Sequence, residues 1–392
     1  MRSQIILFLL LPTVLFAQLQ DQKNNQNRFK NIAFNIDYHQ GKILKIYPEF
    51  PEVTKSSYYS LNVVWQTDGS KEWHHHYNFP ESGFNIIYSD LGNDSILGRS
   101  IGLFPNLNLK IRNQKRWGFF FKLGSGFSWF NKHYDRLKNP ENNVIGSHIT
   151  NITFMGFNAY LQLTQNLRIH GGYTIIHFSN AHVIVPNVGS NDFPWNIGLQ
   201  FKPFKTTIQR DYQKDESAKP FVFNMKLGLG FHTLGGTVSP NGGPTYPIYA
   251  IAPFVSKRIG QAGAVHLGLY ALYYTSFRDQ IRREGYFIGN QFKSSCVVSV
   301  SLGYEWLIGH VGYLLEPVIN LYNPLFKKTQ IDDDEQHKKS TVTKHWLGAR
   351  TGFAYYLLDK AKYPRYNPAI GMYIKTNKEQ ADYVEMNISC GF

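Results

Sequence analysis

The sequence has little cysteine and, beyond its first residues, no long apolar stretch. Its two cysteines, Cys296 and Cys390, lie far apart, and one pair cannot form the disulfide framework of a small secreted domain. We interpret both as small apolar side chains. After residue 17 no apolar run reaches the length of about 18 residues that a transmembrane helix needs. The 43% of hydrophobic residues must therefore be distributed in another way.

Acidic residues are also scarce. The chain has 27 Asp and Glu against 41 Lys and Arg, a formal net charge of +14. In an exported protein, a basic surface suits anionic or phosphorylated lipid head groups, and we expect no nucleic-acid partner. The simpler alternative is that the basic side chains solvate loops and the lumen of a barrel.

The first seventeen residues have the pattern of a secretory signal peptide. Arg2 provides a short positive region, an apolar run extends from Ile5 to Phe16, and the junction Ala17-Gln18 is a candidate cleavage site. We predict a cleaved signal peptide over residues 1–17 and an N-terminal tail over residues 18–30. The mature protein is then exported.

Alternation of apolar and polar residues dominates the remaining chain. Many segments of about ten residues alternate strictly, most cleanly Val384–Phe392, and the odd positions of Trp117–Trp129 form the heaviest aromatic stripe. Counted from a periplasmic N-terminus, short connections follow even strands and long ones follow odd strands, except the long stretch 68–82 and the short one near Lys378. The pattern predicts an all-β fold, a transmembrane antiparallel β-barrel in the outer membrane of a Gram-negative bacterium.

The number of barrels depends on how the candidate strands pair. Eight strands end near residue 203, a polar segment covers Lys205 to Lys219, and alternation then resumes. We predict one closed barrel of about 12 to 16 strands, because the last strand needs a partner at the first. Residues 31–205 would form the half carrying the site, and residues 220–392 the C-terminal half. The alternative is an eight-stranded barrel ending near residue 203, followed by a second β module.

The most informative segment for function is the end of the strand over residues 167–179. His177 and Ser179 are two positions apart, so their side chains point to the same side, roughly 6.5–7 Å apart along the backbone. A histidine in hydrogen-bond reach of a serine can activate it as a nucleophile. Both residues continue the apolar face, which faces lipid in a membrane barrel, and the topology puts them at the external rim.

The run His177-Phe178-Ser179-Asn180, followed by Pro186-Asn187-Val188-Gly189, resembles the lipid A 3-O-deacylase family of the PagL type, also described as bacterial acyloxyacyl hydrolases. The resemblance is most specific over residues 167–203. It implies hydrolysis of an ester-linked acyl chain of lipid A, the lipid part of lipopolysaccharide, with outer-membrane lipids around the protein. It also implies that His177 is the base and Ser179 the nucleophile.

One position departs from that family. The PagL pattern has an acidic residue twelve positions after the serine, where this chain has Asn191, followed by Asp192. Asn191 instead resembles the amide of outer-membrane phospholipase A, and its odd parity puts it on the lipid face, so we choose it as the residue that orients His177.

Three further residues are candidates for stabilising the oxyanion. Asn180 and Asn187 have side-chain amides that can donate, and Gly189 lets the loop backbone approach closely. The alternative for Asn187 and Gly189 is a plain turn.

Other functions remain open from the sequence. The runner-up is phospholipid hydrolysis, for which the resemblance to outer-membrane phospholipase A implies a calcium requirement, and the rival class is a non-enzymatic barrel with an inactive site. We predict no cofactor and no metal site, because neither His74-His75-His76 nor the acidic run 332–335 has the ligand spacing of a zinc or calcium site. A homodimer is left open.

Overall fold

The computed structural model describes residues 31–114, 116–204, 220–233, 244–260, 262–332, 346–358, 366–377 and 380–392. The predicted signal peptide, the N-terminal tail and the polar segment 205–219 lie outside these ranges. Within them, the helices are too short or too polar to cross a bilayer.

The N-terminal strands form one closed ring. They are β1 (Ile32–Gly41), β2 (Ser56–Gln66), β3 (Glu81–Asp90), β4 (Arg99–Asn113), β5 (Trp117–Phe130), β6 (Ile149–Gln162), β7 (Leu167–Ser179), β8 (Ser190–Asp192) and β9 (Trp195–Phe201). Successive strands from β1 to β7 pair antiparallel, and β9 closes the ring by pairing with both β7 and β1. The short β8 pairs with the end of β7. A short helix, α1 (Glu72–His76), lies between β2 and β3.

The C-terminal strands form a second closed ring of eight. They are β10 (Phe221–Thr233), β11 (Thr245–Ile259), β12 (Gly263–Tyr274), β13 (Cys296–Ile308), β14 (Val311–Tyr322), β15 (Leu347–Tyr356), β16 (Asn367–Asn377) and β17 (Gln380–Gly391). Helices α2 (Thr275–Glu284) and α3 (Gln291–Ser294) connect β12 to β13. Helix α4 (Pro324–Phe326) and a π-helical turn (Lys327–Asp332) follow β14.

The prediction of a single barrel of 12 to 16 strands is wrong, and the alternative with a second β module matches the strand pairing. Phe34 of β1 is paired with Phe201 of β9, so β1 offers no free edge to the end of the chain. The final strand instead pairs with β10, where Leu227 faces Ile388. In each ring, the first and last strands therefore pair their backbone hydrogen-bonding groups with each other.

The side chains are distributed inside out compared with a soluble protein. Ile36 on β1 is 65% exposed, whereas its neighbour Asp37 is 3% exposed and points into the barrel. The same contrast recurs around both rings, with exposed apolar side chains at Leu61, Ile86, Leu103, Phe157, Ile197, Phe223, Ile251, Leu269, Leu302 and Ile388. An apolar outer surface around a polar interior is the arrangement of transmembrane antiparallel β-barrels, as predicted.

Charged side chains fill the interiors. In the first barrel the Glu81 carboxylate lies 3.4 Å from Lys110 and 3.6 Å from both Arg168 and Lys202. In the second, Arg350 donates from Nε to Glu316 at 2.7 Å. Buried charges need such partners because isolated charges are costly away from water. Part of the basic excess therefore serves the lumens.

The connections that follow β1, β3, β5 and β7 lie at one end of the first barrel, called the outer end below. They pack into an apolar cluster with residues from the strands, namely Ile43, Phe50, Val53, Tyr58, Ile87, Leu91, Leu97, Phe104, Phe130, Val144, Ile145, Ile152, Phe154, Ile176 and Phe178. Because Phe178 lies between His177 and Ser179, this cluster anchors β7 where it carries the candidate site.

Candidate active site

The candidate site lies on the outward face of β7 at the outer end of the first barrel. His177 and Ser179 are partly exposed, whereas Phe178 and Asn180 between and after them are buried. This parity follows from the alternation of strand side chains. The serine and histidine therefore face the membrane side of the wall.

Strand β8 brings Asn191 to His177. The two residues are directly opposite each other in the β7–β8 pair, and His177 Nδ1 lies 2.8 Å from Asn191 Oδ1. An amide oxygen can only accept, so this contact keeps the imidazole proton on Nδ1 and leaves Nε2 with a free lone pair. That tautomer is the one a general base needs.

The neighbouring carboxylate is on the other side of the wall. Asp192 is fully buried, and its Oδ2 accepts a hydrogen bond from Tyr58 OH at 2.7 Å and another from Ser56 Oγ. Its Oδ1 accepts from the backbone N–H of Phe193 at 2.7 Å. Asp192 therefore fixes the loop from the interior, away from the face that carries His177.

Two donors converge on Ser179 Oγ. Asn187 Nδ2 lies 2.9 Å from it, and the backbone N–H of Ala181 lies 3.0 Å from it. Ala181 was not identified from the sequence, because the donor is a backbone N–H, whose direction depends on the path of the loop and not on the residue type. In the described part of the chain no hydrogen bond joins Ser179 to His177, and such bonds often tighten only when substrate binds.

Gly189 fits closely between the two candidate catalytic side chains. Its φ is +75°, and a Cβ placed there would lie 3.4 Å from His177 Cε1 and 3.5 Å from Ser179 Cβ. It would also lie 2.9 Å from the carbonyl oxygen of Phe178. Glycine thus allows the loop to pass directly beside the pair.

Asn180 has a different place from the other asparagines. Its Nδ2 donates to Ile184 O at 2.8 Å and to Ser147 Oγ at 3.2 Å, and its backbone N–H donates to Asn187 Oδ1 at 3.2 Å. The Asn180 amide therefore holds the loop together. Asn187 links Asn180 to Ser179, because its Oδ1 accepts from the former and its Nδ2 donates to the latter.

The histidine run that the sequence singled out lies far from this site, in α1 between β2 and β3. The backbone N–H of Gly69 donates to His74 Nδ1 at 3.1 Å, and burial lowers the pKa of His74 to about 4. Among the described residues, no group of three or more His, Cys, Asp or Glu side chains is placed to hold a metal ion. The acidic positions 333–335 lie outside the described residues.

One family model matches part of the chain. The family model described as Lipid A 3-O-deacylase (PagL) matches residues 57–200, a region that includes every site residue named above. The resemblance to this family is thereby confirmed over the N-terminal barrel, and it indicates the outer membrane of a Gram-negative bacterium. No curated protein matches the chain.

Solved structures with low sequence identity are also similar to parts or most of the chain. The outer membrane enzyme PagL is 16% identical with a TM-score of 0.31, over 42% of this chain and 97% of that one. Acinetobacter baumannii OccAB4 is 11% identical with a TM-score of 0.21, over 94% and 99% of the two chains. A mutant porin of Rhodopseudomonas blastica is 9% identical with a TM-score of 0.19, over 92% and 99%.

Proposed function

From the family match over residues 57–200, we propose that this protein is an outer-membrane serine esterase that removes an ester-linked acyl chain from lipid A. The observation that carries the proposal is the contact between His177 Nδ1 and Asn191 Oδ1 beside Ser179, on the membrane face of the barrel wall. An ester of a membrane lipid can reach that face without leaving the bilayer. Asp192 takes no part in the chemistry, because its carboxylate is committed inside.

The reaction follows the logic of a catalytic triad. Ser179 Oγ attacks the ester carbonyl carbon while His177 Nε2 takes its proton, and the carbonyl electron pair moves to oxygen. The intermediate collapses when His177 returns the proton to the departing alcohol oxygen of lipid A, which leaves the acyl group on Ser179. A water molecule, deprotonated by His177, then attacks the acyl carbon; the bond to Ser179 Oγ breaks, and His177 returns the proton to Oγ as the fatty acid leaves. Asn191 holds the imidazolium through its amide oxygen.

The oxyanion of each intermediate needs donors beside Ser179. Asn187 Nδ2 and the N–H of Ala181 lie 2.9 and 3.0 Å from Oγ, close to where the oxyanion forms. We assign them this role, and Gly189 allows the approach. Asn180, predicted as a third donor, contributes by holding Asn187.

The test is mass spectrometry of lipid A and phospholipids incubated with the purified full-length protein in mixed micelles. Loss of one acyl chain from lipid A, abolished in Ser179→Ala, is the expected result. Lysophospholipid as the main product, with activity that needs calcium, would favour the phospholipase alternative. No change in either lipid would favour a non-enzymatic barrel. Export behind a cleaved signal peptide is part of the proposal, and N-terminal sequencing of the mature protein tests it.

A further inference from the structure

The two barrels touch beside the candidate site. Thr233, the last residue of β10, is 5% exposed and donates twice to the connection between β7 and β8. Its backbone N–H lies 3.1 Å from the carbonyl oxygen of His182, and its Oγ1 lies 2.7 Å from that of Val183. The C-terminal barrel thus holds the backbone of the loop that follows Ser179.

The held segment has a conformation that L-residues rarely adopt. Ala181 has a φ of 50° and His182 a φ of 71°, both in the left-handed region. Non-glycine residues persist there only when their surroundings fix them. The turn begins at Ala181, whose backbone N–H donates to Ser179 Oγ at 3.0 Å.

The end of β10 is itself firmly held. His232, next to Thr233, is buried with Nε2 2.6 Å from Ser276 Oγ and Nδ1 3.7 Å from Asp382 Oδ1. Asp382 also accepts from Lys375 Nζ at 3.0 Å. This network ties β10 to α2, β16 and β17, so Thr233 is presented by a rigid part of the second barrel.

The two barrels also contact each other at the end opposite to the candidate site. Tyr77, just after α1, donates from its hydroxyl to the carbonyl oxygen of Ala262 at 3.3 Å. Trp73 of α1 lies against Gly309 in the β13–β14 turn, where a Cβ would be 3.1 Å from the indole nitrogen. Within the described residues, the barrels thus contact each other both through Thr233 and through α1 and the residue that follows it.

We propose that Thr233 is a positioning residue of the esterase site, through which the C-terminal barrel holds the backbone that orients Ser179 and its oxyanion donor. This proposal rests on the proposed function. It assigns the second barrel a part in catalysis. Without the hydrogen bonds from Thr233, the strained turn would relax and the Ala181 N–H would move away from Ser179.

The experiment compares three variants of the full-length protein in detergent micelles with lipid A. Thr233→Val removes the hydroxyl and keeps the shape, whereas Thr233→Ser keeps the hydroxyl. Thr275→Val is the matched control, because Thr275 Oγ1 also donates at 2.7 Å to a backbone carbonyl, that of Pro247, within the second barrel. The readouts are kcat, KM and hydrogen exchange of the peptide covering residues 180–189.

We expect Thr233→Val to lower kcat about 2- to 10-fold, the effect of one hydrogen bond, with KM nearly unchanged and faster exchange in the loop. Thr233→Ser should restore kcat, and Thr275→Val should match the wild type. A wild-type kcat in Thr233→Val overturns the proposal, and so does a loss of kcat in Thr233→Ser equal to that in Thr233→Val. If the wild type does not deacylate lipid A, the proposed function fails separately, and unchanged loop exchange in Thr233→Val would still refute the contact.

Discussion

Replacing Asn191 and Asp192 in turn separates the two sides of the barrel wall. Asn191→Ala removes the acceptor 2.8 Å from His177 Nδ1. The loss of one hydrogen bond to a group that becomes charged costs about 1–3 kcal/mol in the transition state, hence about 5- to 150-fold in kcat/KM. The barrel should stay folded, because Asn191 lies on the outward face.

Asp192→Ala should show the opposite pattern. It leaves the buried hydroxyls of Ser56 and Tyr58 without their acceptor, at about 1–3 kcal/mol for each. We expect a lower melting temperature and a much smaller loss of kcat/KM than in Asn191→Ala. Deacylation kinetics and heat-modifiable gel mobility measure the two effects. If Asp192→Ala is as inactive as Ser179→Ala while it melts like the wild type, and Asn191→Ala is silent, the assignment of the orienting residue is wrong.

Three further substitutions test the remaining parts of the argument. Asn187→Ala should lower kcat by about 10²–10³-fold with little change in KM, because it removes a donor beside Ser179; steady-state kinetics would contradict this if only KM changed. Gly189→Ala should reduce both activity and melting temperature, since its φ of +75° and the 2.9 Å approach to a backbone oxygen leave no room for a methyl group; a fully active variant would show that the loop can move aside. Arg350→Met leaves Glu316 and Glu385 buried without their cation, at about 3–5 kcal/mol; unchanged thermal unfolding followed by circular dichroism would refute the importance of that ion pair.

The face of each strand could be predicted from the sequence, because a period of two decides which side chains share a side. This period predicted that His177, Ser179 and Asn191 share the outward face of the barrel wall and that Asp192 points inward. The pairing partners could not be predicted in the same way, since every strand of the chain carries the same alternation. Whether β9 meets β1 or the chain continues into a larger ring depends on curvature and register, which alternation does not encode.

The loop was the least predictable part of the site. Pro186-Asn187-Val188-Gly189 indicated a turn with donors, and Asn187 does reach Ser179. The partners of Asn180, Ser147 and Ile184, depend on how separate loops pack at the outer end. The contact of the Ala181 N–H with Ser179 depends on the path of the loop backbone, which no residue type indicates.

The double closure also matters for assembly. In each barrel the seam joins strands within one half of the chain, Phe34 with Phe201 and Met225 with Cys390. A single large ring would leave β1 unpaired until the last strand had arrived, with its row of backbone donors and acceptors exposed to aggregation. Two smaller rings let the strands of residues 32–201 close without the C-terminal strands, because β9 pairs with β1. The C-terminal strands close in the same way, through the pairing of β10 with β17, so each barrel can complete its backbone hydrogen bonds independently of the other.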